Sequence, residues 1–280
     1  MKFSKVHALG NDFVVIDEAD RPAEGRFEVF VRRVCDRHTG VGADGLLLIG
    51  VEDAAAGRVR FRIFNANGTE AEISGNGLRC ASAYLFRRGT VAPPRIRFWT
   101  TAGDRSCELV RAAGTLYEVR TEMGRPRFAS SDIPFDDGEV HERIVDYPLT
   151  IGQKAHPVTV LSVGNPHCGV FFDRYPNRIE WQQIGSEIES HPFFPKRTNV
   201  EFIHVVNRSE IEVLFWERGV GETLASGTGA CAAAVASMVK NLTDRKVAVR
   251  TSLGRLIVEW TEDLILQTGP AEFVFEGTWV

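Results

Sequence analysis

Short segments that alternate apolar and polar positions dominate this chain. In residues 58–64, RVRFRIF, Val59, Phe61 and Ile63 fall on one side and Arg58, Arg60 and Arg62 on the other, as in a half-buried strand. The segments RIRFWTT, LYEVRTE, HPVTVLSV and EIEVLFWE repeat the pattern, and the tail adds KVAVRTS, RLIVEW and LILQT between Gly and polar turns. LLLIGV reads as a strand-sized core segment, well short of the roughly 18 apolar residues of a membrane span. Helical spacing is rarer. Phe27, Phe30, Val31 and Val34 share a face, and small-residue helices are expected in GLRCASAYLFRRG and GACAAAVASMVK. Many strands around two small-residue helices predict an α+β architecture, each helix enclosed by its own sheet. The polar, Pro-containing stretch 124–147 is expected to connect two halves.

Those halves read as copies. EAEISGNGLRC (70–80) and ETLASGTGACA (222–232) both place a Glu four residues before a Ser, then Gly-x-Gly and a helix. Aligning Ser74 on Ser226 aligns Glu70 with Glu222, Gly75 with Gly227 and Gly77 with Gly229, and sets Asn65 opposite Glu217. One such turn reads as an ordinary serine helix cap. Two in matching positions point to a duplication and to a site.

Gly after Ser permits close backbone approach, and a helix opening there offers unpaired amides to an anionic group. Two such openings suit removal of a proton from one face of a carbon and its return to the other, a carboxylate being held by the helix ends. Neither turn has the Lys or spacing of a phosphate-binding loop, or the Gly-x-Ser-x-Gly of a serine hydrolase. Asn11, Asn65, Asn165, His167, Asn199, Glu217 and Arg218 are further candidates to line a pocket for a small zwitterion, Arg218 facing a carboxylate.

Composition narrows the setting. At 280 residues, 44% hydrophobic and 25% charged, the chain has the make-up of a soluble protein with a core. A net charge of −4 argues against nucleic acid or an anionic membrane as partner. Five scattered cysteines without a CxxC, and an N-terminus without an apolar signal region, suit reduced thiols in the cytoplasm. The seven His show no metal-ligand spacing, so no metal is expected.

The ordered set HALGNDF, RHTGVGADG, FRIFNANG, SGNGLRC, VGNPHCGV, RTNVEF and ERGVGETLASGTGACA resembles the diaminopimelate epimerase family nearly end to end. The resemblance implies two pseudo-symmetric domains, each a barrel-like, mainly antiparallel sheet around a central helix. Residues 1–124 plus about 269–280 would form the first and 125–268 the second. It implies a cofactor-free enzyme, often a homodimer, that interconverts L,L- and meso-diaminopimelate for lysine and cell-wall synthesis, one acid/base residue coming from each domain. Ser74 and Ser226 would occupy those catalytic positions, supported by His167 and Glu217. The amides of Gly75-Asn76 and Gly227-Thr228 would hold the reacting carboxylate. Asn65, Asn165, Asn199, Glu217 and Arg218 would grip the remaining groups, and Asn11 would line the same pocket. Proline and hydroxyproline racemases share the fold, but their nucleophile turns read differently.

At both catalytic positions the family has Cys where this chain has Ser. A thiol titrating near ~8.5 serves as acid and base near neutrality, whereas a Ser hydroxyl is a far weaker acid. Cys80 and Cys231 lie six and five residues beyond the serines, inside the helices. Activity is therefore expected to be low. Three origins stay open: deliberate replacement of both cysteines, a natural serine-bearing branch, or a protein that binds its ligand without turnover. Beside the epimerase stand two alternatives, a non-catalytic amino-acid-binding protein and an isomerase of this fold with another substrate.

Overall fold

The computed structural model describes residues 1–22, 26–92, 94–101 and 103–280. The chain divides into two units, Met1–Glu122 with Thr268–Val280, and Met123–Gln267.

In the first unit the chain runs β1 (Lys2–Ala8), β2 (Asn11–Asp17), helix α1 (Phe27–Cys35), β3 (Gly45–Asp53), β4 (Arg58–Asn65) and the short β5 (Glu70–Ala71). Helix α2 (Gly75–Arg88), β6 (Arg95–Thr100), β7 (Gly103–Ala113) and β8 (Leu116–Gly124) follow. β1 pairs antiparallel with β2, β2 parallel with β3, β3 antiparallel with β4, and β4 parallel with β6. β6, β7 and β8 continue as an antiparallel meander.

The second unit repeats this plan. β9 (Ile144–Ile151) leads into β10 (Lys154–Ser162), β11 (Pro166–Phe171), helix α3 (Arg178–Glu189), β12 (Asn199–Asn207), β13 (Glu210–Glu217) and the short β14 (Gly221–Thr223). Then come helix α4 (Gly227–Val239), β15 (Lys246–Thr251) and β16 (Gly254–Trp260). β10–β11 is antiparallel, β11–β12 parallel, β12–β13 antiparallel, β13–β15 parallel and β15–β16 antiparallel. Strand for strand this is the order of β1 to β7. The last strand, β17 (Ile265–Thr278), pairs with β1 and with β8, closing the eight-stranded barrel of the first unit.

Each parallel pair needs a crossover, and each crossover holds a helix. α1 and α3 link β2–β3 and β11–β12, while α2 and α4 link the later pairs. The expected central helices are α2 and α4. Residues 75–85 of α2 are buried without interruption, Leu78, Cys80, Ala81 and Tyr84 packing with Phe61, Phe98 and Val119. In α4, residues 229–237 are buried, and its run of alanines lets the sheet approach on all sides. Among the described residues no helix is long and apolar enough to cross a membrane.

Two features differ from the sequence expectation. α3 was not anticipated, although Asn177 caps it by accepting the Glu180 amide (3.1 Å) and Trp181, Ile184 and Ile188 form its buried stripe. The stretch 124–147 is more than a connection. Ile133, Phe135 and Ile144 are buried in the second unit's core with Trp181, Phe194 and Phe202, so its sparse apolar positions anchor it despite the polar composition.

Candidate active site

Ser74 and Ser226 stand at equivalent points, each the N-cap of a buried helix. Their backbones are extended (φ −145°, ψ 122° and φ −132°, ψ 128°), and each Oγ accepts the amide three residues on, Gly77 at 3.1 Å and Gly229 at 3.2 Å. The amides of Leu78 and Ala230 bond to the serine carbonyls (2.9 and 3.0 Å). Those of Gly75-Asn76 and Gly227-Thr228 stand ahead of the helix ladder, at the positive end of the dipole. Ser226 is buried and Ser74 half-buried.

In the first unit, a chain of polar contacts ties this turn to Asn11. The Asn76 amide nitrogen donates to Asn11 Oδ1 (3.2 Å), its carbonyl accepts from buried Arg79, and Asn11 Nδ2 donates to Asp44 Oδ2 (2.9 Å). Arg37 bridges Asp44 (2.8 Å) and Asp12 (2.7 Å), and buried Lys5 pairs with Asp12. Burial works against the Asp12 carboxylate, but Arg37 and Lys5 outweigh it and hold its pKa down to about 2. Asn65 ends β4, its Nδ2 donating to Thr69 Oγ1 (3.0 Å) and its side chain left exposed.

In the second unit, His167 and Asn199 are register partners on parallel β11 and β12. Asn199 uses its amide as a brace, Nδ2 donating to the Pro166 carbonyl (2.9 Å) and Oδ1 accepting the Arg218 amide (3.0 Å). Arg218 Nη1 donates to the Lys196 carbonyl (3.0 Å), and Glu217 accepts from Thr223 (2.6 Å). Buried His167 is held between Asn165 Oδ1 at Nε2 (2.9 Å) and Glu201 Oε1 at Nδ1 (2.6 Å).

The paired glutamates have unlike partners. Glu70 makes a two-bond pair with Arg62 on the neighbouring strand (2.7 and 2.8 Å), whereas Glu222 bonds to Arg178 (2.8 Å) and Gln182 (2.6 Å) of α3. Both stiffen the approach to a serine turn.

Each unit thus presents a helix opening with anion-ready amides, a Ser oxygen beside them, and its own polar side chains. No cysteine takes over the serines' place. All five are buried, and burial pushes Cys80 and Cys35 up to about 12, Cys107 to about 11, and Cys168 well above the ordinary thiol range.

Sequence reasoning missed four residues around these turns. Asp44 holds Asn11 and Arg37 holds Asp44, although both lie in the motif RHTGVGADG. Glu189 accepts the Gly219 amide (2.8 Å) and the Trp216 indole N–H (2.8 Å), fixing the turn that carries Glu217 and Arg218. Glu201 lies in RTNVEF, where its carboxyl is aimed inward.

The diaminopimelate epimerase family model matches residues 3–129 and 159–274. A protein named diaminopimelate epimerase from Pelotomaculum thermopropionicum is 44% identical over 99% of this chain and 98% of its own length. One of the same name from Desulforudis audaxviator is 43% identical over 100% and 99%. Among solved structures, a Bacillus anthracis PhzF-family phenazine biosynthesis protein superposes with a TM-score of 0.69 at 16% identity, over 99% of this chain and 98% of that one. A hydroxyproline epimerase from Agrobacterium vitis gives 0.68 at 15%, over 99% and 90%. At those identities the structural likeness speaks for the fold alone; the sequence matches go further, and they show that this chain belongs to the diaminopimelate epimerase family.

Proposed function

We propose that this chain is an amino-acid epimerase acting on diaminopimelate, interconverting the L,L and meso forms by proton removal and return at one α-carbon. In this reading it works without a cofactor, as a homodimer in the cytoplasm, in lysine and peptidoglycan-precursor synthesis. The observation that carries the reading is the pair of serine-capped helix openings, alike in backbone angles and in their cap bonds. Ser74 and Ser226 stand at the two acid/base positions. Gly75-Asn76 and Gly227-Thr228 supply amides for the carboxylate and for the charge that develops as the α-proton leaves. Asn65, Asn165, Asn199, Glu217 and Arg218 take the remaining amino and carboxylate groups, with Asn11 beside Asn76.

Two serines make the proton transfer slow. Each Oγ already accepts a helix amide, which favours its anion, but a Ser hydroxyl is so weak an acid that it stays largely protonated near neutral pH even with His167 and Glu217 in support. Binding without appreciable turnover is the second reading, favoured by that same pair of capped hydroxyls.

The test is α-proton exchange in D₂O with L,L- and meso-diaminopimelate, comparing this chain with Ser74→Cys, Ser226→Cys and the double variant. Slow exchange in the parent and full exchange only in the double variant supports the epimerase. Ligand binding with no exchange in the double variant refutes it in favour of a binding protein. No binding of either isomer means that another amino acid is the ligand. Arg218→Ala with unchanged affinity would remove Arg218 from the carboxylate contact.

A further inference from the structure

Glu201 is 1% exposed, and its two oxygens are unequal. Oε1 lies 2.6 Å from His167 Nδ1, while Oε2 meets no hydrogen-bond partner among the described residues. The carboxyl lies beneath the opening of α4, where a Cβ on Gly229 would come within 3.0 Å of Oε1. Glu201 therefore touches both His167 and the turn that Ser226 caps.

The duplication shows that the fold does not demand an ionisable pair here. Phe13 and Gly45 are register partners on β2 and β3, as His167 and Asn199 are on β11 and β12. Two residues further along, Leu47 is the counterpart of Glu201. Leu47 approaches a Cβ on Gly77 at 3.3 Å, as Glu201 approaches one on Gly229. The first unit fills this place with Phe13 and Leu47, both in its apolar core. Putting a carboxyl and an imidazole in the second costs desolvation that the scaffold avoids in its other copy.

We propose that Glu201 is a positioning residue for the reaction: it holds one proton against His167 Nδ1 and thereby fixes His167 to present Nε2 as the nitrogen that gives and takes protons. This rests on the function proposed above. Nε2–H donates to Asn165 Oδ1, so the neutral pair is a protonated Glu201 bonded to the Nδ1 lone pair. When Nε2 gives up its proton, the Glu201 proton passes to Nδ1, leaving a neutral imidazole and a carboxylate. Proton uptake at Nε2 reverses both movements. Burial favours the protonated carboxyl, His167 opposing it and Glu217 adding to it. Cys168, beside His167 on β11, also feels Glu201. The buried stretches of α4 and β10 bring no charged side chain to it.

The experiment is side-chain NMR of the ¹⁵N-labelled chain, with His167 assigned by His167→Gln, on the parent, Glu201→Gln and Glu201→Asp. The parent is expected to show a strongly downfield proton in the bond between Glu201 and His167 Nδ1, and a proton on Nε2. In Glu201→Gln the downfield signal should disappear, with Glu201→Asp between the two. Absence of that signal from the parent overturns the proposal even if neither variant folds, as does persistence of the signal in a folded Glu201→Gln.

A second arm places Glu201→Gln in the Ser74→Cys/Ser226→Cys chain. There kcat for α-proton exchange should fall about tenfold or more with an altered pH profile and little change in KM. Exchange with an unchanged pH profile overturns the positioning role and leaves the epimerase standing. No exchange in the double-cysteine chain, with the downfield signal intact, overturns the function and with it the role in the reaction, while keeping the Glu201–His167 bond.

Discussion

Replacing Ser74 and Ser226 by Cys, the change expected to raise activity, should lower stability at the same two atoms. Each hydroxyl oxygen accepts one helix amide, at 3.1 Å from Gly77 and 3.2 Å from Gly229. Loss of a serine cap to Ala costs about 1 kcal/mol, in a range of about 0.5–2. A thiol sulfur is a weak acceptor and keeps only part of that bond, so each Ser→Cys should cost about 0.5–1 kcal/mol. The serines lie in different units and share no cap partner, so the costs should add to about 1–2 kcal/mol in the double variant. Amide hydrogen exchange reads the effect locally. Gly77 should lose protection in Ser74→Cys alone, Gly229 in Ser226→Cys alone, each by about two- to fivefold. Unchanged protection at both glycines, or a loss spread evenly along α2 and α4, would refute the cap argument.

Three further outcomes test the fold and the polar clusters of each unit. Asp12, only 14% exposed, has its pKa held near 2 against about 3.9 in an unfolded chain, a contribution of about 2.5 kcal/mol at neutral pH. Because the folded value is the lower one, that stability is complete above about pH 4 and fades as pH falls towards 2; denaturant melts of Asp12→Asn should lack this portion of the acid loss. Gly229→Ala would drive a Cβ to 2.9 Å from the Phe215 ring, whereas Gly77→Ala meets side chains at 3.2–3.3 Å. The first should therefore be the less stable by about 1 kcal/mol or more, and equal denaturation midpoints would refute the difference. Glu189→Gln leaves the Gly219 amide and Trp216 indole competing for one acceptor, and should weaken diaminopimelate binding about tenfold through the loosened 217–221 turn, measurable by calorimetry.

The strands were legible because period-two alternation marks half-buried segments such as RVRFRIF, and the two central helices because Gly-x-Gly and alanines follow each serine. α3 was less visible: a strand-rich setting draws attention from a stripe as sparse as Trp181, Ile184 and Ile188. The duplication nevertheless contained the clue, since α1 requires a counterpart between β11 and β12. Glu201 was hidden for a different reason. In NVEFI a Glu between Val200 and Phe202 reads as the solvent face of a strand, but residues 199–203 are buried on both faces. Alternation shows that a strand has two faces; only the packing shows that both are covered. Around the serine turns, the sequence supplied the donors and acceptors but not their partners, as Asn199 illustrates by bonding the Pro166 carbonyl and the Arg218 amide.

The pairing of β17 with β1, which joins Thr278 to Lys2, sets the order in which the protein can mature. During synthesis, the strands of the first unit emerge early but lack the one that closes their barrel until residues 268–278 follow. At ordinary elongation rates the intervening residues 123–267 take on the order of ten seconds. For that interval β1 and β8 each offer an unpaired edge, the kind of surface on which nascent chains pair wrongly with one another. The second unit, contiguous in sequence, waits for no distant strand of this kind. The ribosome therefore delivers first the unit that finishes last, and a chain truncated after Gln267 should stay aggregation-prone however well its second unit folds.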